Sequence, residues 1–522
     1  MTSYRIGIDI GGTFTDFSLL DEETGRIRVL KTPSEPAAPE KAVFAGLAKL
    51  FADFAVRPEE IRYFIHGTTL AVNTVIQRSG ASTAFLVTDG FRDILTIGRH
   101  RIPDVFNFFT ELPRPLVPRA HAFEIPERCD AHGNIVRALD DAAVRRAAAR
   151  MLERGIEAVA VCFLHSYRND ANERRARDIL AEAAPSLYVS LSSEIWPQMR
   201  EYERGLVATM NAHVGRKMRT YFAGLAEGVR RLDVTAPVLS TKSNGGVMPV
   251  DEAGERPVET LLSGPAAGVI GATFVGAATG LPNLVTFDMG GTSADVAVIE
   301  GEPRYSTENH VGDFPVIMPA IDVTSIGAGG GSIAWTDSNG VLKVGPTSAG
   351  AKPGPACYGI GGEEATVTDA YVCLGVIDPK RFLGGAIDIQ PALAEKAVAR
   401  IGKAIGLGTL EAAESILRVA TSQMYAALVP LLARKGINYE DFALLPFGGA
   451  GPTHGFLLAR EIGIGRVVVP LHPGVLCAAG SLVADIRRDF IRTIHLATKA
   501  GGEAAVVAAM RSALEALSAE GD

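Results

Sequence analysis

Apolar and polar residues alternate along residues 4–10, 14–20 and 26–31, with E-E-T-G at 22–25 as the turn before the third run, which predicts an opening meander of three strands. Helical spacing takes over at 40–54, where Val43, Phe44, Leu47, Leu50 and Phe51 recur three and four apart. Apolar runs at 61–65 and 83–87 read as buried strands. Helices are then predicted at 140–154 and 172–184, ahead of strands at 158–163 and 187–191, and one long helix over 198–230. Strands alternating with helices give an α/β fold. A chain of 522 residues exceeds what one core usually holds. The domain junction is placed near the start of the long helix, giving a first lobe at 1–198, a second at 199–495 and a remainder at 496–522.

An internal repeat organises the rest. Residues 8–20 read I-D-I-G-G-T-F-T-D-F-S-L-L and residues 287–299 read F-D-M-G-G-T-S-A-D-V-A-V-I. Asp9 aligns with Asp288, Gly11 and Gly12 with Gly290 and Gly291, Thr13 with Thr292, and Asp16 with Asp295. Two copies of one strand-turn-strand unit imply two lobes of similar topology.

The repeated unit suits phosphate. A strand ending in Asp and turning through Gly-Gly-Thr presents backbone N–H groups to an anion, because glycine has no side chain to block the approach. The hydroxyls of Thr13, Thr15, Thr292 and Ser293 are further donors. Asp9 and Asp288 repel phosphate, so their natural partner is a bridging magnesium ion or its water. Two more glycine-rich turns, 325–332 (S-I-G-A-G-G-G-S, with Gly329 and Gly330) and 447–455 (F-G-G-A-G-P-T-H-G, with Gly448, Gly449 and Gly451), offer N–H groups to nucleotide phosphates or ring edges. Neither a Rossmann G-x-G-x-x-G in its β-α-β setting nor a Walker A motif is present, so the nucleotide site is of the two-lobed kind.

Composition narrows the setting. Hydrophobic residues at 47% and charged residues at 21% are an ordinary globular balance. A net charge of -8 and a pI near 5.8 lack the basic face of a nucleic-acid binder, so no nucleic acid is expected. Cys129, Cys162, Cys357, Cys373 and Cys477 are scattered, with no C-x-x-C pair, which fits a reduced, cytoplasmic setting. Residues 1–10 lack the build of a signal peptide. The most membrane-like stretch, 261–285, holds two prolines and many glycines, which suit a tightly packed helix better than a lipid-facing span. No membrane is expected.

Several blocks together make the chain resemble the A subunit of the hydantoinase/oxoprolinase family, which includes N-methylhydantoinase and the acetone and acetophenone carboxylase subunits. They are G-I-D-I-G-G-T-F-T-D (7–16), I-H-G-T-T (65–69), L-L-S-G-P-A-A-G-V (261–269), F-D-M-G-G-T-S-A-D (287–295), D-V-T-S-I-G-A-G-G-G-S-I-A (322–334), S-A-G-A-K-P-G-P-A-C-Y-G (348–359), T-V-T-D-A (366–370) and F-G-G-A-G-P-T-H (447–454). The resemblance implies a two-lobed actin/hexokinase-like (RNase H-like) ATPase fold, ATP and Mg2+ between the lobes, and a separate B-type subunit in a hetero-oligomer. It implies that ATP phosphorylates an amide or carbonyl oxygen of a small cyclic amide. Asp9, Gly11, Gly12, Thr13 and Thr15 would hold one end of the triphosphate, and Asp288, Gly290, Gly291, Thr292 and Ser293 the other, with Gly448, Gly449 and Gly451 against the adenosine. The usual A subunit continues through another C-terminal domain, whereas only an alanine-rich helix over 503–519 is predicted here.

Other residues leave alternatives open. His66 is either an acid/base at a strand end or a histidine bonded to backbone. Asp369 either caps a helix or faces the cleft. Asp322 is expected to support the glycine-rich turn, and Asp16 and Asp295 are either buried partners of backbone N–H groups or bases. His454 opens a helix near the expected nucleotide. Lys352 is either a phosphate contact or a solvated lysine, and residues 92–101 either bind an anion or subunit or form a solvated face. An amidohydrolase or carboxylase subunit, a small-molecule kinase and a nucleotide-switched protein all remain compatible with a phosphate clamp.

Overall fold

The computed structural model describes residues 3–12, 14–35, 38–100, 102, 105–380, 382, 388–494 and 502–521. The opening meander forms as predicted, with β1 (Tyr4–Ile10), β2 (Phe14–Asp21) and β3 (Ile27–Pro33) antiparallel, followed by α1 (Pro39–Phe54). Next come β4 (Ile61–Thr68), the short α2 (Leu70–Ile76), β5 (Thr83–Thr88) and β6 (Ala122–Ile125). The pairs α3 (Asp141–Glu153) with β7 (Ala158–Cys162) and α4 (Ala171–Ala183) with β8 (Tyr188–Leu191) lie close to where periodicity put them. The long helix is α5 (Glu201–Arg231), and β9 (Val238–Thr241) and β10 (Val247–Pro249) follow it.

These strands make two sheets. The larger has the order β10-β9-β4-β1-β2-β3, and the smaller, β8-β7-β5-β6, is parallel throughout. Helix α5 lies between them, giving Leu206, Val207, Met210 and Val214 to one core and Ala208 and Ala212 to the other. That double burial covers its central turns on every side, including the polar Thr209, Asn211 and His213. Strands β9 and β10 follow residue 198, yet β9 pairs parallel with β4. On sheet membership the first lobe therefore runs past the junction expected from the sequence. Periodicity marks a strand but not its neighbour, so this pairing was not legible in the chain.

Helix α6 (Ser263–Thr279) carries the chain to the second lobe, where β11 (Asn283–Met289) and β12 (Ala294–Glu300) form the second hairpin. Strand β13 (Val323–Ile326) pairs with β12, and β14 (Ala443–Phe447) runs parallel to β11. The helices that follow include α7 (Val367–Cys373), α8 (Thr409–Arg434), α9 (Gly451–Ile462) and α10 (Leu476–Ser481). Helix α8 is long and apolar enough to cross a membrane. It instead supplies Ile416, Ala420, Met424 and Leu428 to the second core. The membrane-like stretch 261–285 is taken up by α6 and the start of β11.

Two helices cross between the lobes through glycines. Helix α10 packs on α6 and on β1, β2 and β4. A Cβ at Gly480 would lie 1.9 Å from the Ala267 carbonyl oxygen, and one at Gly7 would lie 2.1 Å from that of Ala478. The backbones touch because nothing stands between them. Gly480→Ala should force this crossing apart and lower stability by about 1–3 kcal/mol, the usual cost of overpacking, as urea denaturation would read it. An unchanged midpoint would show that the crossing yields freely.

Candidate functional site

The site is built twice. Asp9 ends β1, and the β1–β2 register sets it opposite Asp16, so both acids project to one face of the sheet. The turn closes with Gly11 N donating to Phe14 O at 2.9 Å. In the second lobe Asp288 stands opposite Asp295, and Gly290 N donates to Ser293 O at 3.0 Å. The tips at Gly12 and Gly291 are exposed, and a Cβ there would meet nothing within 4 Å. Thr292 is exposed and Ser293 half-buried at the second tip.

Each acid also leans on a glycine of the neighbouring parallel strand. Strand β4 aligns Gly67 with Asp9, where a Cβ would stand 2.9 Å from Asp9 Oδ1. After β14, Gly448 holds φ +82°, and a Cβ on it would fall 2.3 Å from Asp288 Oδ1. Any larger residue at either position would displace a carboxylate.

The two hairpins face one another closely enough for their charges to interact. Burial pushes the Asp9 carboxyl up to about 7, with repulsion from Asp16 adding and Lys31 opposing. Burial pushes Asp288 up to about 8, with repulsion from Asp295 and then Asp9 behind it. Asp9 Oδ1 is buried without a hydrogen-bond partner among the described residues. The Cys477 thiol, on α10, donates to Asp288 Oδ2 at 3.6 Å, and burial beside Asp288 and Asp9 pushes it well up. Asp16 is held by Lys31 at 2.5 Å; burial raises both Asp16 and Asp295.

Opposed hard carboxylates, one with an unused oxygen, fit Mg2+, which takes one or two carboxylates and fills its shell with phosphate and water. Among the described residues no cluster of three or more His, Cys, Asp or Glu forms a cage of its own. The donor set therefore suits a cation that arrives with a phosphate.

Other expected site residues lie elsewhere or act otherwise. Thr13 falls outside the described residues. Thr15 sits opposite Ile10, so it projects to the face away from Asp9, fully buried, with its hydroxyl 3.0 Å from Ser34 Oγ. Ser34 in turn donates to Gly11 O at 2.9 Å, so Thr15 braces the turn from behind. Gly329 and Gly330 spend their N–H groups internally. Gly330 N donates to Gly290 O at 3.0 Å, Gly331 N to Gly291 O at 2.7 Å and Gly329 N to Ser332 Oγ at 2.9 Å. That turn is a buttress for the second hairpin, and the expectation that it faces phosphate is corrected.

His66 is corrected too. It aligns with Ile8 on the core face, is 0% exposed, and its Nε2 is 2.5 Å from the Tyr221 hydroxyl on α5. Burial pushes it down to about 3, which leaves it a neutral core histidine. His454 is likewise buried, between the Tyr371 hydroxyl at 2.6 Å and Thr421 Oγ1 at 3.2 Å, and pushed down to about 4. Asp369 accepts from Ala356 N, Cys357 N and Thr366 N at 3.2, 2.7 and 2.9 Å. It anchors a loop from inside α7, while Thr366 is the cap. Asp322 is ion-paired with Lys435 and does not support the turn. Lys352 is exposed. In 92–101, Arg99 pairs with Glu203 and Arg92 donates to Arg119 O, while Arg101 lies outside the described residues.

Gly448 lies against Asp288, and its N–H donates to Pro473 O at 3.0 Å. Gly449 has open space around it, and Gly451 starts α9. Sequence reasoning missed Gly67 and Cys477. I-H-G-T-T drew attention to its histidine, although the residue that meets the acid is the glycine beside it. Nothing in the sequence marks Cys477.

The acid pair has a consequence for stability. Asp9 and Asp288 bind their protons more tightly folded, at about 7 and about 8, than at the ordinary 3.8. Stability therefore falls as pH rises from about 4 to about 8. Melting curves of the ligand-free chain should show this fall, Asp288→Asn should flatten it, and the substituted chain should melt higher than wild type at pH 8. A flat profile in wild type would place the acids in water.

Residues 5–184 match the hydantoinase/oxoprolinase N-terminal region and residues 204–490 match hydantoinase/oxoprolinase. The alpha subunit of caprolactamase from Pseudomonas jessenii is 36% identical over 501 residues, covering 94% of this chain and 72% of that protein. The gamma subunit of acetophenone carboxylase from Aromatoleum aromaticum is 36% identical over 505 residues, covering 92% of this chain and 68% of its own. The nucleotide-free structure of acetone carboxylase, from work on ATP-dependent acetone carboxylation, superposes with a TM-score of 0.82 at 27% identity, over 93% of this chain and 71% of that one. Two lobes, each with a strand-turn-strand unit beside a parallel strand, constitute the actin/hexokinase-like, RNase H-like ATPase fold. The chain belongs to the hydantoinase/oxoprolinase family.

Proposed function

We propose that this chain is the ATP-binding subunit of an enzyme that opens a small cyclic amide, a hydantoin, lactam or 5-oxoproline-like ring, by phosphorylating its carbonyl oxygen. The observation that carries the reading is the pair of facing hairpins, each with an exposed glycine tip and a half-buried acid beside it. Backbone N–H groups at the tips, Gly12 and Gly291, with the hydroxyls of Thr292 and Ser293, grip the phosphates, while the N–H groups of Gly11 and Gly290 close the two turns. Gly449, with open space around it, leaves room for the adenosine, while Gly451 packs against the backbone of Phe287 and Met289. Asp9 and Asp288 hold Mg2+, which when bound offsets the negative charge gathered around the transferring phosphoryl group.

In this reading the carbonyl oxygen attacks the γ-phosphorus, the bond from that phosphorus to the β,γ-bridging oxygen breaks, and ADP leaves. Water adds to the activated carbon, the ring nitrogen departs with a proton, and a second water releases phosphate from the acyl phosphate. A lactam carbonyl resists water because its nitrogen feeds electrons into it; phosphorylation removes that resistance. The relative named caprolactamase supports hydrolysis, and the equally similar acetophenone carboxylase subunit favours a second reading, in which the same activation serves carboxylation. Relatives named as subunits support a hetero-oligomer with a B-type partner. The five free cysteines fit a cytoplasmic setting.

The test is ATP hydrolysis by the purified chain with Mg2+, against hydantoins, lactams, 5-oxoproline and ketones, with and without a B-type subunit. Turnover stimulated by one ring and dependent on the partner is expected, and Asp9→Asn or Asp288→Asn should lower it by about 10²-fold or more. Phosphorylated product released by the chain alone would make it a kinase. Turnover without any small substrate would make it a switch.

A further inference from the structure

The smaller sheet of the first lobe takes no part in the phosphate clamp, yet it has the layout of a ligand-binding sheet. Its four strands, in the order β8-β7-β5-β6, are all parallel. The chain steps from β5 outward to β6, crosses back over β5 to β7, and continues away to β8. The segments leaving the carboxyl ends of β5 and β7 therefore diverge, and in open parallel sheets ligands bind where that happens.

A buried polar floor fixes the loops at this edge. Glu173 accepts from Phe163 N at 2.9 Å and from Ser192 Oγ at 2.6 Å. Arg204, 0% exposed, donates to Phe163 O at 2.6 Å and Gln198 O at 3.0 Å. Above the floor lie two cavities. One, of about 620 Å³, is polar and lies between the loops after β7 and β8 and the segment 488–492. The other, of about 1040 Å³, is mainly apolar and lies under the segment leaving β5, with Leu95, Leu112, Leu116 and Met199 in its wall. Both are lined by Trp196, Pro319 and Ile491, so the two chambers adjoin. No residue of either hairpin lines them.

We propose that this edge is a second small-molecule site, distinct from the phosphate clamp, and that it takes an organic carboxylate with an apolar ring or chain. The apolar chamber is sized for the body of such a ligand. In the polar chamber Lys242, Arg174, Arg256 and Arg488 are already paired with Glu259, Asp170, Glu259 and Glu252, and Arg168 is engaged as well. Arg492 forms no ion pair among the described residues and is the polar chamber's cation open to an incoming carboxylate. Phosphate-sized anions would leave the apolar chamber empty, and an uncharged hydrocarbon would leave Arg492 unanswered. The inference stands whether or not the clamp binds ATP.

The experiment is calorimetric and ligand-observed NMR titration of the whole chain with acetate, hexanoate, benzoate and phenylacetate. It is repeated with Mg2+ and a non-hydrolysable ATP analogue present, and with Arg492→Gln and Met199→Arg. Both residues are exposed, so melting curves should stay at wild type. Hexanoate, benzoate or phenylacetate should bind saturably, acetate far more weakly. Each substitution should weaken the best ligand about tenfold or more, and the nucleotide should not displace it. No saturable binding up to about 10 mM, beyond the weak end of specific affinities, would overturn the proposal. So would binding that survives both substitutions, or that the nucleotide displaces.

Discussion

Two carboxylates that repel each other across a cleft set the terms for the rest of the molecule. Asp9 and Asp288 are each half-buried near the end of a hairpin strand; burial raises both, with Asp16 adding to the rise at Asp9 and Asp295 and then Asp9 to that at Asp288. A fold that only had to be stable would not place them so. Keeping them there takes matched support, with Gly67 and Gly448 clearing room beside the acids, Cys477 donating to one of them, and Lys31 drawing off the charge of Asp16. The cost of holding like charges together is met by the packing of two large cores, and in the proposed function it is returned when a cation and phosphates enter.

The duplication explains why both lobes solve this problem alike. In each, a hairpin presents the acid, a parallel strand lies against it, and a glycine of that strand or of the turn after it lets the carboxylate stay. What differs is the reinforcement. In the first lobe Thr15 and Ser34 brace the turn from behind, whereas in the second the Gly329–Gly331 turn does so, backbone to backbone. Between the lobes α6 and α10 cross with almost no side chain between them, so the acids are carried on elements whose separation is set by backbone contact.

Much of this was legible in the chain. Alternation gave the opening strands, the 3.6-residue spacing gave α1, α3, α4 and α5, and the repeat gave the two acids and their glycine tips. What was not legible depended on which face a residue takes and what lies beside it. His66 and Gly67 are adjacent, and only the register with β1 shows that the histidine enters the core while the glycine meets Asp9. The Gly329–Gly330 turn has the composition of an anion-binding loop, but composition does not say whether its N–H groups are already spent. Thr15 carries a hydroxyl of the kind that binds phosphate, but on the face of the strand away from Asp9. Strands β9 and β10 were invisible as members of the first sheet because parallel pairing joins segments far apart in sequence.

The central claim is that the facing acids exist to receive a cation together with a nucleotide's phosphates. Isothermal titration of the chain with a non-hydrolysable ATP analogue, with Mg2+ and with EDTA, tests it most directly. The account predicts one binding site per chain that needs the metal and is lost in Asp288→Asn, although that chain melts no lower than wild type. Binding that ignores the metal, or survives that substitution unchanged, would contradict it.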